Sequence, residues 1–172
     1  MKLHIGGHQP HPDWKILDIE PRPEVDFVAD ANDLSQFADN SIAEIYASHV
    51  LEHFHYGLDD ELAFTLAEWH RVLQPEGKLY VSVPNLEMLC WLYLHPELSG
   101  EGRYQIMRMM FGGQVNPYDV HRAGLDEAIL SQYLRVVGFA SYERVPSFDL
   151  FQDTSTMVFL SYPVSLNIVA YK

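Results

Sequence analysis

A chain of 172 residues can bury one sizeable core and is too short for two ordinary domains. Its 48% apolar and 20% charged residues are the balance of a globular protein in water. Acidic residues outnumber basic ones 24 to 11, and the net charge of −13 with only scattered Lys and Arg excludes nucleic acid and anionic membrane surfaces as expected partners.

Cys90 is the only cysteine, so an intrachain disulfide is excluded and a cytoplasmic location is expected. The sequence shows no basic-then-apolar leader, and no apolar run reaches membrane-spanning length. Lys2 to Ile5 is predicted as a strand ending at Gly6 and Gly7. Trp14 to Ile19 (WKILDI) is a second strand, carrying Asp18 near its end and stopped by Pro21 and Pro23.

Val25, Phe27 and Val28 form a short apolar run ending at Asp30. Ile42, Ile45, Tyr46 and Ala47 form another, ending at Ser48 and His49. Two such buried-type strands suit the centre of a parallel sheet. Ligands of such sheets bind outside the carboxyl ends of the strands, which puts Asp30, Ala31, Ser48 and His49 on the rim of a pocket. Val50 to Phe54 reads as a short helix.

Asp59 to Leu73 is the clearest helix. Leu62, Leu66, Trp69 and Leu73 share one face, acidic residues sit at its start, and Pro75 and Gly77 follow its end. Lys78 to Val83 is a fifth strand. The segment at about 86–118 is rich in Leu, Met, Tyr and Trp. It is predicted as two short helices and a loop that cover one sheet face or form a lid over a pocket. Asp126 caps a further helix that stops at Gly138. Tyr142 to Val145, Met157 to Ser161 and Leu166 to Tyr171 read as strands, the final two pairing antiparallel near Pro163. The alternation of strand and helix predicts one α/β domain over residues 1–172.

Several short motifs stand in a telling order. They are Leu3-His4-Ile5-Gly6-Gly7, Asp18, Val25-Asp26, Ala29-Asp30, Asp39-Asn40-Ser41, His49-Val50-Leu51-Glu52-His53, Arg71 to Gly77 and Leu79 to Pro84. Asp119 to Arg122 and Gly138-Phe139 continue the series. Together they resemble the class I S-adenosylmethionine-dependent methyltransferases, in particular a small branch with an HVLEH-type motif. The resemblance implies a Rossmann-like fold: a mostly parallel central sheet, helices on both faces and an antiparallel C-terminal strand. It implies S-adenosylmethionine as cofactor and methyl transfer to a small-molecule acceptor.

By position in the motifs, the resemblance places Gly6 and Gly7 at the methionine part of the cofactor. Asp18, with Ile19 beside it, falls at the ribose diol. Asp30, Ala31 and Asn32 fall at the adenine, and Ser48 and His49 near the donated methyl group. A carboxylate suits a vicinal diol because it accepts two O–H donors. Where the acceptor must lose a proton, His49 and His121 are the candidate catalytic residues.

Two departures from the family pattern stand out. Residues 8–13 are too few for the crossover helix that normally follows the glycine loop. Glu76 stands where the family has glycine. Without the first helix, Leu3, Ile5, Ile16 and Leu17 risk exposure on one face, and a homodimer covering that face is expected.

Two rival readings remain. A domain of this fold lacking a helix can serve as a non-catalytic cofactor-binding or interaction module. His49, His53 and His121 can also be read as a three-nitrogen metal site of a zinc hydrolase. The sequence lacks the H-E-x-x-H spacing of such enzymes, and a site without metal is expected.

Overall fold

The computed structural model describes residues 1–57 and 59–172. Its first strands are β1 (Lys2–Ile5), β2 (Trp14–Asp18), β3 (Phe27–Val28), β4 (Ile42–Ser48) and β5 (Leu73–Pro84). The later ones are β6 (Ser141–Arg144), β7 (Val158–Phe159), β8 (Tyr162–Pro163) and β9 (Ser165–Tyr171). The helices are α1 (Glu61–Val72), α2 (Leu86–Tyr93), α3 (Gly100–Phe111) and α4 (Glu127–Val137).

Seven strands make the main sheet, in the order β3-β2-β1-β4-β5-β9-β6. Pairing is parallel from β3 to β5, and β9 runs antiparallel to both β5 and β6. β1 therefore lies between β2 and β4, so the connections leave it in opposite directions. The crevice above β1 and β4 is the topological switch point where ligands of such sheets bind.

Three sequence expectations change here. β3 is an edge strand rather than a central one, and its Val28 is 59% exposed. The final two predicted strands do not pair with each other. β7 turns back on β8 as a separate ribbon, and β9 inserts between β5 and β6. The apolar segment builds its own small cluster instead of covering the sheet. Leu89 and Leu92 of α2 and Ile106 of α3 pack with Val164, Met157 and Phe159 of the ribbon region.

Leu3, Ile5, Leu17, Ile45, Ala47, Leu79 and Val81 pack on one face of the sheet against Leu62, Leu66 and Trp69 of α1 and Leu130 and Leu134 of α4. Side-chain alternation sends Trp14, Tyr46 and Tyr80 to the other face. There, an irregular strap of residues 146–156 takes the place of helices. Its Phe148, Leu150 and Phe151 pack on Trp14, Tyr46 and Tyr80. The cause is the connection from β1 to β2, which is a loop too short for a crossover helix.

Polar anchors hold the strap. Tyr46 Oη donates to Asp153 Oδ2 at 2.7 Å, and Asn167 Nδ2 donates to the carbonyls of Pro146 and Ser155. The face that argued for a second copy of the chain is thus covered from within. Leu3, Ile5 and Leu17, which the homodimer expectation took as at risk, lie buried on the helical side.

Glu76 has a φ of +64°, the left-handed conformation that glycine adopts most readily, in keeping with the glycine that the resemblance implies there. The Asp126 side chain accepts from the Ile129 amide, as the capping signal predicts.

Two predictions follow from the strap. Phe151, 7% exposed, touches His4, Trp14 and Tyr46, so Phe151→Ala should cost about 3 kcal/mol in urea unfolding. In light scattering, the wild-type mass should stay constant on dilution, and a concentration-dependent mass would show that the strap does not suffice.

His4 lies buried against Phe151, and burial lowers its pKa to about 4. The unfolded chain takes up this proton near pH 6.5 and the folded chain only near 4. The unfolded state therefore binds more protons in that window, and stability falls by about 3 kcal/mol as pH drops through it. His4→Leu should flatten this part of the stability–pH curve, and an unchanged slope would refute the assignment.

Candidate active site

β1 and β4 end side by side at the switch point, and the chain turns sharply at both ends. Gly6 has a φ of +71°, and a Cβ there would sit 2.8 Å from Val50 Cγ2. His49, directly after β4, is also left-handed, with a φ of +56° and its amide bonded to the Ser82 carbonyl. This turn starts a single 3₁₀ turn, Leu51–His53, inside the short helix expected over Val50 to Phe54. Its Glu52 carbonyl accepts from the Arg122 and Ala123 amides, and Arg122 Nη1 donates to the His53 carbonyl. The 120–123 segment is thereby fixed beside it.

A cavity of about 320 Å3 opens above these strand ends. That is within the range of small-ligand pockets. Gly6, Asp18, Ile19, Asp30, Ala31 and His49, all anticipated from sequence, line it. The other three anticipated cofactor contacts do not. Gly7 packs on His4, whose ring a Cβ at Gly7 would meet at 2.7 Å. Asn32 turns away to donate to Glu61 Oε1. Ser48 Oγ is buried beneath the strand end. His121 also stands outside the cavity wall.

Asp18 ends β2. Its Oδ1 accepts from the Glu20 amide, and its Oδ2 accepts from Arg22 Nη2 at 3.0 Å. The same Arg22 nitrogen donates to the Gly7 carbonyl, and Nε bonds Glu24. Arg22 therefore ties the glycine loop to the end of β2, where the missing helix would have done so. Arg22 and Glu20 line the cavity, as do His8, His53 and Tyr118. Of these, the sequence marks only His53, within the HVLEH motif. Arg22, Glu20, His8 and Tyr118 were missed because no motif spacing marks them, and only the fold of residues 6–13, 19–22 and 116–122 brings them to the rim.

On the β3 side of the cavity, Trp69 Nε1 donates to the Ala31 carbonyl at 2.8 Å, and Glu61 joins Asn32 to the His55 amide. The face of α1 thus fixes the loop that follows β3.

Beside the cavity lies Glu52, 1% exposed. Its Oε1 is 3.3 Å from His49 Nδ1 and 3.9 Å from His121 Nε2. Burial pushes this carboxyl up, but His49, His53 and His121 outweigh it, and the net shift is downward, favouring the carboxylate. His121 is shifted down by burial, which favours neutral imidazole, although Glu52 opposes this. Ser165 Oγ gives its proton to the Thr154 carbonyl, so it accepts from His49 Nε2 at 3.0 Å. His49 Nδ1 then faces the Glu52 carboxylate, so both ring nitrogens of His49 are engaged.

Residues 15–81 match the family described as methyltransferase domain. No curated protein sequence matches the chain. Among solved structures, the chain resembles 1,6-didemethyltoxoflavin-N1-methyltransferase of Burkholderia thailandensis, crystallised with 1,6-didemethyltoxoflavin and S-adenosylhomocysteine. Identity is 17%, coverage is 99% of this chain and 70% of that one, and the TM-score is 0.57. A SAM-dependent methyltransferase of Archaeoglobus fulgidus is similar at 14% identity, with 99% and 85% coverage and a TM-score of 0.60. An S-adenosylmethionine-dependent methyltransferase of Mesorhizobium loti is similar at 15% identity, with 99% and 89% coverage and a TM-score of 0.60. The family match thus lies over the strands beneath the cavity, and along nearly its whole length the chain shares the fold of these S-adenosylmethionine-dependent methyltransferases.

Proposed function

We propose that the chain binds S-adenosylmethionine in the switch-point cavity and transfers its methyl group to a small-molecule acceptor. The observation that carries this reading is the convergence of Gly6, Asp18, Ile19, Asp30, Ala31 and His49 on one cavity. The residues present fit the cofactor. Each Asp18 oxygen accepts one protein donor and keeps a second lone pair, enough for two ribose hydroxyls. Gly6 lets the backbone come close, and Ile19 offers an exposed apolar side chain for the adenine. When bound, the cofactor supplies an electrophilic methyl group.

The chain's own contribution is alignment, which carries much of the rate in a displacement of this kind. Arg22 holds Asp18 and the glycine loop in register. His49 borders the cavity with Nδ1 facing Glu52 and Nε2 bonded to Ser165, so its ring is held in one orientation there. His121 acts behind it, through Glu52, as a positioning residue.

Asn116 and Tyr118, at the end of the 86–118 segment, close one side of the cavity, which suits that segment as a lid over an acceptor. The Burkholderia enzyme binds such a small heterocyclic acceptor. An acidic chain favours small molecules over nucleic acid in the same way. No helix among the described residues is long and apolar enough to cross a membrane.

Isothermal titration with S-adenosylhomocysteine tests the reading. Binding is expected, and Asp18→Ala should weaken it by roughly 1–3 kcal/mol without unfolding the chain. Equal affinity in the mutant would remove Asp18 from the site. No heat with the wild-type chain would favour the non-catalytic interaction module, for which the absent first helix is the structural argument.

A further inference from the structure

We propose that Glu52, His53 and His121 form a binding site for one divalent transition-metal ion of the zinc and iron class, beside the cavity. Each residue offers a ligand atom, and the three atoms lie within 4.8 Å of one another. Ligands held at about 2.1 Å from zinc sit roughly 3.4 Å apart in a tetrahedron, so closing on an ion asks for side-chain shifts of about 1 Å.

The ring orientations are those a metal requires. His53 Nδ1 lies 3.1 Å from the Val120 carbonyl, and His121 Nδ1 lies 3.0 Å from the Met109 carbonyl. A carbonyl only accepts, so both Nδ1 atoms carry the proton. Both Nε2 atoms then present lone pairs. Imidazoles that bind metals usually donate their other N–H in this way, which fixes tautomer and rotation. The two rings stand 5.1 Å apart at 75°, edge to face, so neither blocks the other.

The second observation is the buried carboxylate. Neither Glu52 oxygen makes a hydrogen bond among the described residues, and the atoms are shielded from solvent. His49 Nδ1 approaches Oε1 but leaves Oε2 without a partner. A buried carboxylate without a ligand for one oxygen is costly, and a cation there removes the cost. Two imidazoles and one carboxylate, with further positions open, is a donor set used by catalytic zinc and by non-haem iron.

This set differs from the three-nitrogen site considered from sequence. His49 commits both nitrogens to Glu52 and Ser165, so the carboxylate takes its place as ligand. His53 also lines the cavity, so the site adjoins the space proposed for the acceptor. The inference does not depend on methyl transfer, because metal binding and cofactor binding are measured separately.

The test is a titration of chelator-treated, tag-free full-length protein with Co2+ alone, followed by its visible d–d absorption. Saturation at one ion per chain is expected, with displacement by Zn2+. His53→Gln and His121→Gln should each weaken binding by more than about tenfold, since even loss of an outer-sphere partner costs that much. His95→Gln, on an exposed loop, should bind as the wild type does. Glu52→Gln risks unfolding, so the two histidine variants, checked for native melting, carry the decision. Absence of saturable binding would overturn the proposal, as would wild-type affinity in both variants. Metal binding without S-adenosylhomocysteine binding would leave this inference standing and sink the proposed methyl transfer.

Discussion

Residues 6–13 are all that join β1 to β2, and much of the molecule follows from that shortness. A parallel crossover of the usual kind carries a helix, and this one cannot. One face of the sheet therefore loses its cover and the glycine loop loses the helix N-terminus behind it. The chain answers each loss with a different device. The strap of residues 146–156 lays Phe148, Leu150 and Phe151 on the bare face. Arg22 binds the glycine loop to Asp18 from the far side of β2. A helix N-terminus favours anions through aligned amides. A guanidinium brings a full charge, but here three carboxylates, of Asp18, Glu20 and Glu24, surround it.

The strap does more than cover apolar surface. Thr154, within it, accepts the Ser165 proton, and that leaves Ser165 as acceptor for His49. The orientation of His49 and its pairing with Glu52 therefore depend on the segment that replaced a helix. A buried carboxylate beside a histidine has modest net value for stability, because desolvation offsets attraction. Its retention beside a ligand cavity fits a functional role better than a structural one.

Much of the frame was legible in the sequence because it obeys short periods. The β4 run from Ile42 to Ala47 is apolar enough to be central, and Leu62, Leu66 and Trp69 repeat at helical spacing and are all fully buried. Asp18, Asp30 and His49 were legible as rim residues, since each ends an apolar run and strand ends line such clefts. The strap was not legible. Val145 to Thr156 has no period, and its partners Trp14, Tyr46 and Tyr80 lie far away in sequence. The β7–β8 ribbon escaped for the same reason. An apolar pair such as Val158-Phe159 looks the same whether it joins a sheet or a local turn.

Glu52 shows the deeper limit. In sequence it is a charged residue between histidines on a short helix, and solvent exposure is its default. Burial is decided by the 120–123 segment, which bonds the Glu52 carbonyl and brings His121 over the side chain. That contact spans most of the core-forming part of the chain, so no local pattern encodes it. The same contact decides the chemistry. His53 and His121 are spaced far beyond any metal-ligand motif, yet each donates its Nδ1–H to a carbonyl of the 109–120 region, which leaves its Nε2 lone pair free. Three donors are thus oriented by backbone geometry rather than by each other. Such preorganisation is needed to hold an ion at low conformational cost. It also explains why spacing alone pointed to His49 instead of Glu52. Spacing sees which side chains share a face, while the hydrogen bond to Ser165 determines which nitrogen remains free.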